Sequence, residues 1–156
     1  MTSKAKPIPD GYETPTPYLC CKDAAGAIEF YKTAFGATEL MRLADPSGKV
    51  GHAEIKIGKG AIMLADECPE MSWRSPQSVG GTPVGIHVYV EDVDALASRA
   101  VGAGAKLVQP VKDQFYGDRT CKLVDPFGHV WFFATHKEDL SPEEIGKRAE
   151  ALFGQK

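Results

Sequence analysis

Leu19-Cys-Cys-Lys-Asp23, running into Ala24–Gly36 (AAGAIEFYKTAFG), is the stretch whose reading decides the fold. The first half is a short apolar strand candidate within Thr14–Lys22. Asp23 is placed to cap a helix. Ala27, Tyr31 and Ala34 then fall on one helical stripe, with Ile28 and Phe35 beside it. Gly36 is placed to end the helix in the left-handed region. Downstream come strand candidates at Glu39–Leu43, Gly51–Ile57 and Ala61–Ala65, separated by the turns Asp45-Pro-Ser-Gly48 and Gly58-Lys-Gly60.

The same order then restarts. Val84–Val90 reads as a strand and Asp92 as a cap. Val93, Leu96, Ala97, Ala100 and Val101 form a helical stripe, stopped by Gly104. Strands follow at Lys106–Val111, Thr120–Val124 and Val130–Thr135, with the loop Gln114–Arg119 and the turn Asp125-Pro-Phe-Gly128 between them. Leu19–Asp23 matches Val88–Asp92, and Gly60 matches Gly128, at an offset of 68 or 69 residues. Each half is one strand, one helix and three strands. A four-stranded sheet with one helix leaves a face uncovered, so two such sheets with helices outside can enclose a cup suited to a small molecule. The fold class is therefore α+β, paired βαβββ modules forming a cup-shaped mixed sheet. The organisation expected is an arm at 1–13, a first module at 14–65, a linker loop at 66–83 that Trp73 pins, a second module at 84–136, and a C-terminal helix within 137–156. Ser141, Pro142 and Glu144 open that helix as a capping box, and Ile145, Ala149 and Leu152 give it a packing stripe.

Composition narrows the function classes. The chain has 156 residues, 43% hydrophobic and 25% charged, with net charge −3. No dense basic face points to nucleic acid, and no apolar run reaches the roughly 18–20 residues of a membrane span. No signal-like segment opens the sequence, so a reducing cytoplasm is expected. Cys20, Cys21, Cys68 and Cys121 form no CxxC pair and read as reduced thiols acting as small hydrophobes. Nucleophile-elbow, Walker, dinucleotide-binding and HExxH motifs are absent.

Asp23–Gly36, Gly51-His-Ala-Glu54, Val90–Asp94, Gly102–Gly104 and Asp125-Pro-Phe-Gly-His129 together resemble the vicinal oxygen chelate superfamily, the glyoxalase, bleomycin-resistance and extradiol-dioxygenase group. Gly81-Thr-Pro83 and Asp113–Arg119 are similar to its PhnB-like branch. The resemblance covers about residues 14–136 and implies paired βαβββ modules, a homodimer, and often a divalent metal in the cup. That metal takes one His or Glu ligand from the first and fourth strand of each module. The matching positions here are Thr16, Met63, Gly85 and Phe132, none of them His, Asp, Glu or Cys. The expectation is no metal and no other cofactor.

His52, Glu54 and Lys56 share one face of their strand by period two, with Ile55 and Ile57 facing the core. They are either a polar patch with His52 or Glu54 as acid–base groups or the solvent side of a half-buried strand. His87 lies with Tyr89 on one face, as a pocket proton carrier or a hydrogen-bonded sheet histidine. Tyr116, Asp118 and Arg119 stand at a mouth where Arg119 reads an anion, or Asp118 and Arg119 stabilise the loop with Gly117 in its turn. Thr16, Tyr18, Met63, Trp131 and Phe133 form an aromatic wall or plain core. His129 is expected exposed in its turn, and His136 past the last strand with no role.

Three functions compete. The first is a resistance-type protein binding a small organic molecule without the usual metal. The second is a glyoxalase-like lyase or isomerase using His52, Glu54 or His87 or a non-standard metal site, with methylglyoxal–glutathione lyase activity not expected. The third is a dimeric structural protein with a vestigial cup.

Overall fold

Asp23 starts the first helix in the computed structural model, which describes residues 4–154. Its carboxylate accepts from Gly26 N at 2.9 Å. Gly36 closes the helix at φ 67°, in the left-handed region that costs a Cβ-bearing residue about 1–2 kcal/mol. Asp92 and Gly104 do the same for the second helix, with φ 117° at the glycine. The element order is β1 (Tyr18–Cys21), α1 (Ala24–Phe35), β2 (Thr38–Ala44), β3 (Val50–Ile57) and β4 (Gly60–Asp66). There follow a 3-10 turn (Pro69–Met71), α2 (Pro76–Val79), β5 (Gly85–Tyr89), α3 (Val93–Ala103), β6 (Lys106–Asp113), β7 (Asp118–Val124), β8 (Val130–His136) and α4 (Pro142–Phe153).

The strands form two four-stranded sheets, β1-β4-β3-β2 and β5-β8-β7-β6. In each, the first and fourth strands run parallel and the other pairs antiparallel. The fold is thus α+β, built of two βαβββ modules, and the chain divides into compact units after Gly80.

In the first module Leu19, Ala53, Ile55, Ile62 and Leu64 are buried on the sheet face under α1, where Ala27, Ile28, Tyr31 and Ala34 meet them. In the second, Cys121, Leu123, Trp131 and Phe133 are buried beneath Val93, Leu96, Ala97 and Ala100 of α3. Each such large apolar side chain contributes about 1.5–3 kcal/mol. The end of each fourth strand fastens its module's helix. Asp66 accepts from Ala24 N at 2.7 Å and from Val50 N at 2.6 Å. Thr135 Oγ1 accepts from Val93 N at 2.9 Å and donates to Val90 O.

Several local readings change. The first strand begins at Tyr18, not Thr14, because Pro15 and Pro17 lack the N–H that a ladder needs. The 66–83 segment is not a plain loop: Ser75 Oγ caps the short α2 from its N-terminal side. Asp118 and Arg119 open β7, paired with His136 and Thr135. His136 therefore lies inside β8, and His129 is buried at 9% exposure. Ser141 caps α4 by accepting from Glu144 N, and the Glu144 carboxylate takes Arg148 Nε at 3.2 Å.

Candidate functional site

Alternation along the strands puts a second set of side chains on the sheet face away from the helix. In the first module the register aligns Tyr18, Met63 and Glu54, with Met41 opposite Glu54 and Leu43 opposite His52. Polar groups there join into one chain. Tyr18 Oη lies 2.6 Å from His52 Nδ1, and His52 Nε2 lies 3.1 Å from Glu54 Oε1. Tyr12 Oη, from the N-terminal arm, donates to Glu54 Oε2. A neutral imidazole with its proton on Nε2 satisfies both neighbours, accepting from Tyr18 and donating to Glu54.

The Tyr12 and His52 hydrogen bonds hold the Glu54 carboxyl below the usual range. The same Tyr12–Glu54 bond raises the Tyr12 phenol, and burial, then the Glu54 charge, raises that of Tyr18. Cys20, on the same face, is pushed up to about 11 by burial and the nearby Glu67 and Asp66, which makes it a poor nucleophile.

Beside this chain lies a cavity of about 590 Å³ whose walls include Tyr18, Gly51, Ala65, Cys68, Met71 and Trp73. Its outer wall is the stretch after β4. Cys68 and Trp73 pair through their backbones at 2.9 and 3.1 Å, carrying the Trp73 ring edge-to-face onto Tyr18 at 5.0 Å. Glu67 anchors that stretch by accepting from Ser75 N and Oγ at 2.8 and 2.6 Å, which brings its carboxyl down to about 2.

The second module presents His87 and Tyr89, with ring centroids 5.0 Å apart. Tyr89 Oη donates to Asp118 Oδ2 at 2.6 Å, and His136 bridges Asp118 and Asp139 at 2.7 and 2.8 Å. Burial opposes the Asp118 charge, but the Tyr89 and His136 bonds outweigh it and lower the pKa. Those carboxylates raise that of His136.

The residues expected at a site are thus distributed as follows. His52, Glu54 and Tyr18 come together, with Met63 in their row. Thr16 precedes β1, and its hydroxyl turns to Thr14 O at 3.4 Å. Trp131 and Phe133 are fully buried under α3, with Trp131 Nε1 donating to Asp125. Phe132, between them, takes the open face. Tyr116 is exposed on its turn. Arg119 points to the helix side, where Asp94 takes it in two bonds of 2.7 and 2.9 Å and Asp113 in a third of 3.1 Å.

Sequence reasoning missed Tyr12 and His136, and it set Asp118 in a loop instead of opposite His136 on a strand. An isolated tyrosine in a polar arm was the one visible signal for the first. The other two needed the β7–β8 register.

The four positions that would hold a divalent metal do not fit one. Met63 and Phe132 offer no nitrogen or oxygen, and Thr16 offers one neutral hydroxyl. At Gly85 the Phe132 ring occupies the place of a side chain, since an added Cβ would stand 2.5 Å from Cε2. Among the described residues no three His, Cys, Asp or Glu are grouped as metal ligands.

Two βαβββ modules, each with a helix on one sheet face and polar and aromatic groups on the other, define the vicinal-oxygen-chelate type of fold. The chain belongs to the Glyoxalase/Bleomycin resistance protein/Dioxygenase superfamily, whose profile matches residues 15–133. It is 44% identical over 133 residues to an uncharacterized protein of Mycobacterium bovis, covering 83% of this chain and 88% of that one. Among solved structures it is similar to TioX from Micromonospora sp. ML1 (28% identity, TM-score 0.62, 83% of this chain and 100% of that one). An Arabidopsis thaliana gene product gives 27% identity and a TM-score of 0.63, over 79% and 98% of the two chains. No helix among the described residues is long and apolar enough to cross a membrane.

Proposed function

We propose that the protein binds a small, largely apolar organic molecule on the open face of its first module, without a divalent metal. The observation that carries this is the cavity of about 590 Å³ beside Tyr18 and Trp73. It lies within the roughly 300–1,000 Å³ of small-molecule sites, and Tyr18, Trp73, Met71 and Cys68 give it an aromatic and sulfur-rich wall beside the charged Lys49, Asp66 and Glu67. The absence of metal donors at Thr16, Met63, Gly85 and Phe132 supports binding without an ion. The PhnB-like motifs at Gly81–Pro83, Asp113–Arg119 and Asp125–His129 support that branch, and we read the working form as a cytoplasmic homodimer.

A thermal-shift screen of aromatic and aliphatic small molecules tests the reading. A ligand at about 100 times its Kd adds about 2.7 kcal/mol, or some 5–10 °C for a chain of this size. Trp73→Ala should lose the shift. A screen without hits, or a shift unchanged in Trp73→Ala, contradicts it.

A second reading rests on the Tyr18–His52–Glu54 chain. A hydroxyl at the cavity wall, backed by an imidazole and a carboxylate, is an acid–base device for a lyase or isomerase. Tyr18→Phe would then keep binding and abolish turnover. Turnover of the methylglyoxal–glutathione adduct is not expected with or without added nickel or zinc.

A further inference from the structure

We propose that the open face of the second module is an anion site for a planar aromatic carboxylate, with the ring on Phe132 and His87 and the carboxylate on Lys122. This goes beyond the first-module cavity and does not depend on it.

The register sets His87, Phe132 and Lys122 in one row across β5, β8 and β7, on the face away from α3. Gly85 shapes the floor. With no side chain there, the Phe132 ring lies against its backbone, where an added Cβ would meet Cε2 at 2.5 Å and Cδ2 at 3.0 Å. His87 carries its ring almost parallel to Phe132, at 9° and 6.5 Å between centroids, and Tyr89 extends the aromatic surface. His87 is exposed and Phe132 half-buried, so the surface is accessible.

The charge on this surface is Lys122. Its Nζ sits over the Phe132 ring, 5.3 Å from the centroid and within cation–ring range. Among the described residues no carboxylate pairs with it. Asp118, the acid nearest in the β7 alternation, is taken by Tyr89 and His136. Lys122 is therefore a half-buried side chain whose ammonium sits over an aromatic ring with no counter-charge among the described residues. The equivalent place in the first module, across from Met63, holds Glu54, already bonded to Tyr12 and His52. The two modules thus carry opposite charges at matching positions, and only the cation lacks a partner. A carboxylate supplies the acceptor that Lys122 lacks, and a flat ring matches the floor.

The test titrates the full-length protein with 2-naphthoate, neutral 2-naphthamide and 2-naphthylmethylammonium, read by protein NMR. Naphthoate should bind with perturbations centred on His87, Phe132 and Lys122. The amide should bind about tenfold more weakly, as for loss of a charge-assisted hydrogen bond, and the ammonium more weakly still. Lys122→Met, which keeps the aliphatic stem, should lower naphthoate affinity about tenfold and leave the amide unchanged. Lys112→Met should change neither. Equal affinity for naphthoate and naphthamide overturns the proposal, as does full naphthoate affinity in Lys122→Met or no binding up to about 10 mM. Loss in Trp73→Ala alone moves the ligand to the first module and also overturns it.

Discussion

Glu54→Gln separates an organised site from an incidental polar patch. The substitution keeps the shape and removes the charge that receives Tyr12 and His52. A hydrogen bond to a charged group contributes about 1.5–3 kcal/mol and a neutral one about 0.5–1.5, so each bond weakens by about 1 kcal/mol. The Glu54 side chain is only 17% exposed, so solvent screening leaves most of that in place. The expected loss at pH 7 is therefore about 2 kcal/mol in urea unfolding. It should also depend on pH. Glu54 has a depressed folded pKa, so its contribution is present above the unfolded value of about 4.3 and disappears as pH falls through the folded value. Wild type and Glu54→Gln should thus differ at pH 7 and begin to converge as pH falls below about 4.3. Equal stability at pH 7, or a difference constant down to the acid limit of folding, refutes the reasoning.

Asp125 accepts from Phe127 N, His129 N and Trp131 Nε1 at 2.8, 3.0 and 2.9 Å while nearly buried. Asp125→Ala should cost about 3–5 kcal/mol in chemical denaturation, from several buried donors left unpaired. His136 holds the segment before α4 through Asp118 and Asp139. Its pKa is raised, so this anchor is full below the unfolded value of about 6.5 and fades as pH rises through the folded one. Cleavage at Lys147 or Arg148 by trypsin should therefore accelerate between neutral and alkaline pH in wild type relative to His136→Gln. Gly85→Ala forces the Phe132 ring aside. It should cost about 1 kcal/mol, at the low end for overpacking because the ring can move outward, and should shift the Phe132 ring resonances.

Much of the fold was legible because it rests on local signals. Asp23 with Gly36 and Asp92 with Gly104 bound the two helices, and alternation in Gly51–Ile57 separated Ile55 from His52 and Glu54. The site was legible only in part. His52, Glu54 and Tyr18 share a face by parity, but joining them across β1 and β3 needs tertiary register. On β8 the run Val-Trp-Phe-Phe-Ala is apolar on both faces, so no alternation tells which aromatic faces out. Burial under α3 decides it, sending Trp131 and Phe133 inward and leaving Phe132 on the open face. Tyr12 escaped notice because a long-range contact from an arm leaves no periodic trace. His129 looked exposed because a turn usually is, yet its N–H joins the Asp125 network.

The central claim is a metal-free organic ligand held beside Tyr18 and Trp73. Native mass spectrometry of the protein purified gently from its own cells tests it most directly. The expected spectrum shows an added organic mass that is missing from Trp73→Ala, and no stoichiometric divalent metal. One metal ion per chain, retained in Trp73→Ala, would contradict the account.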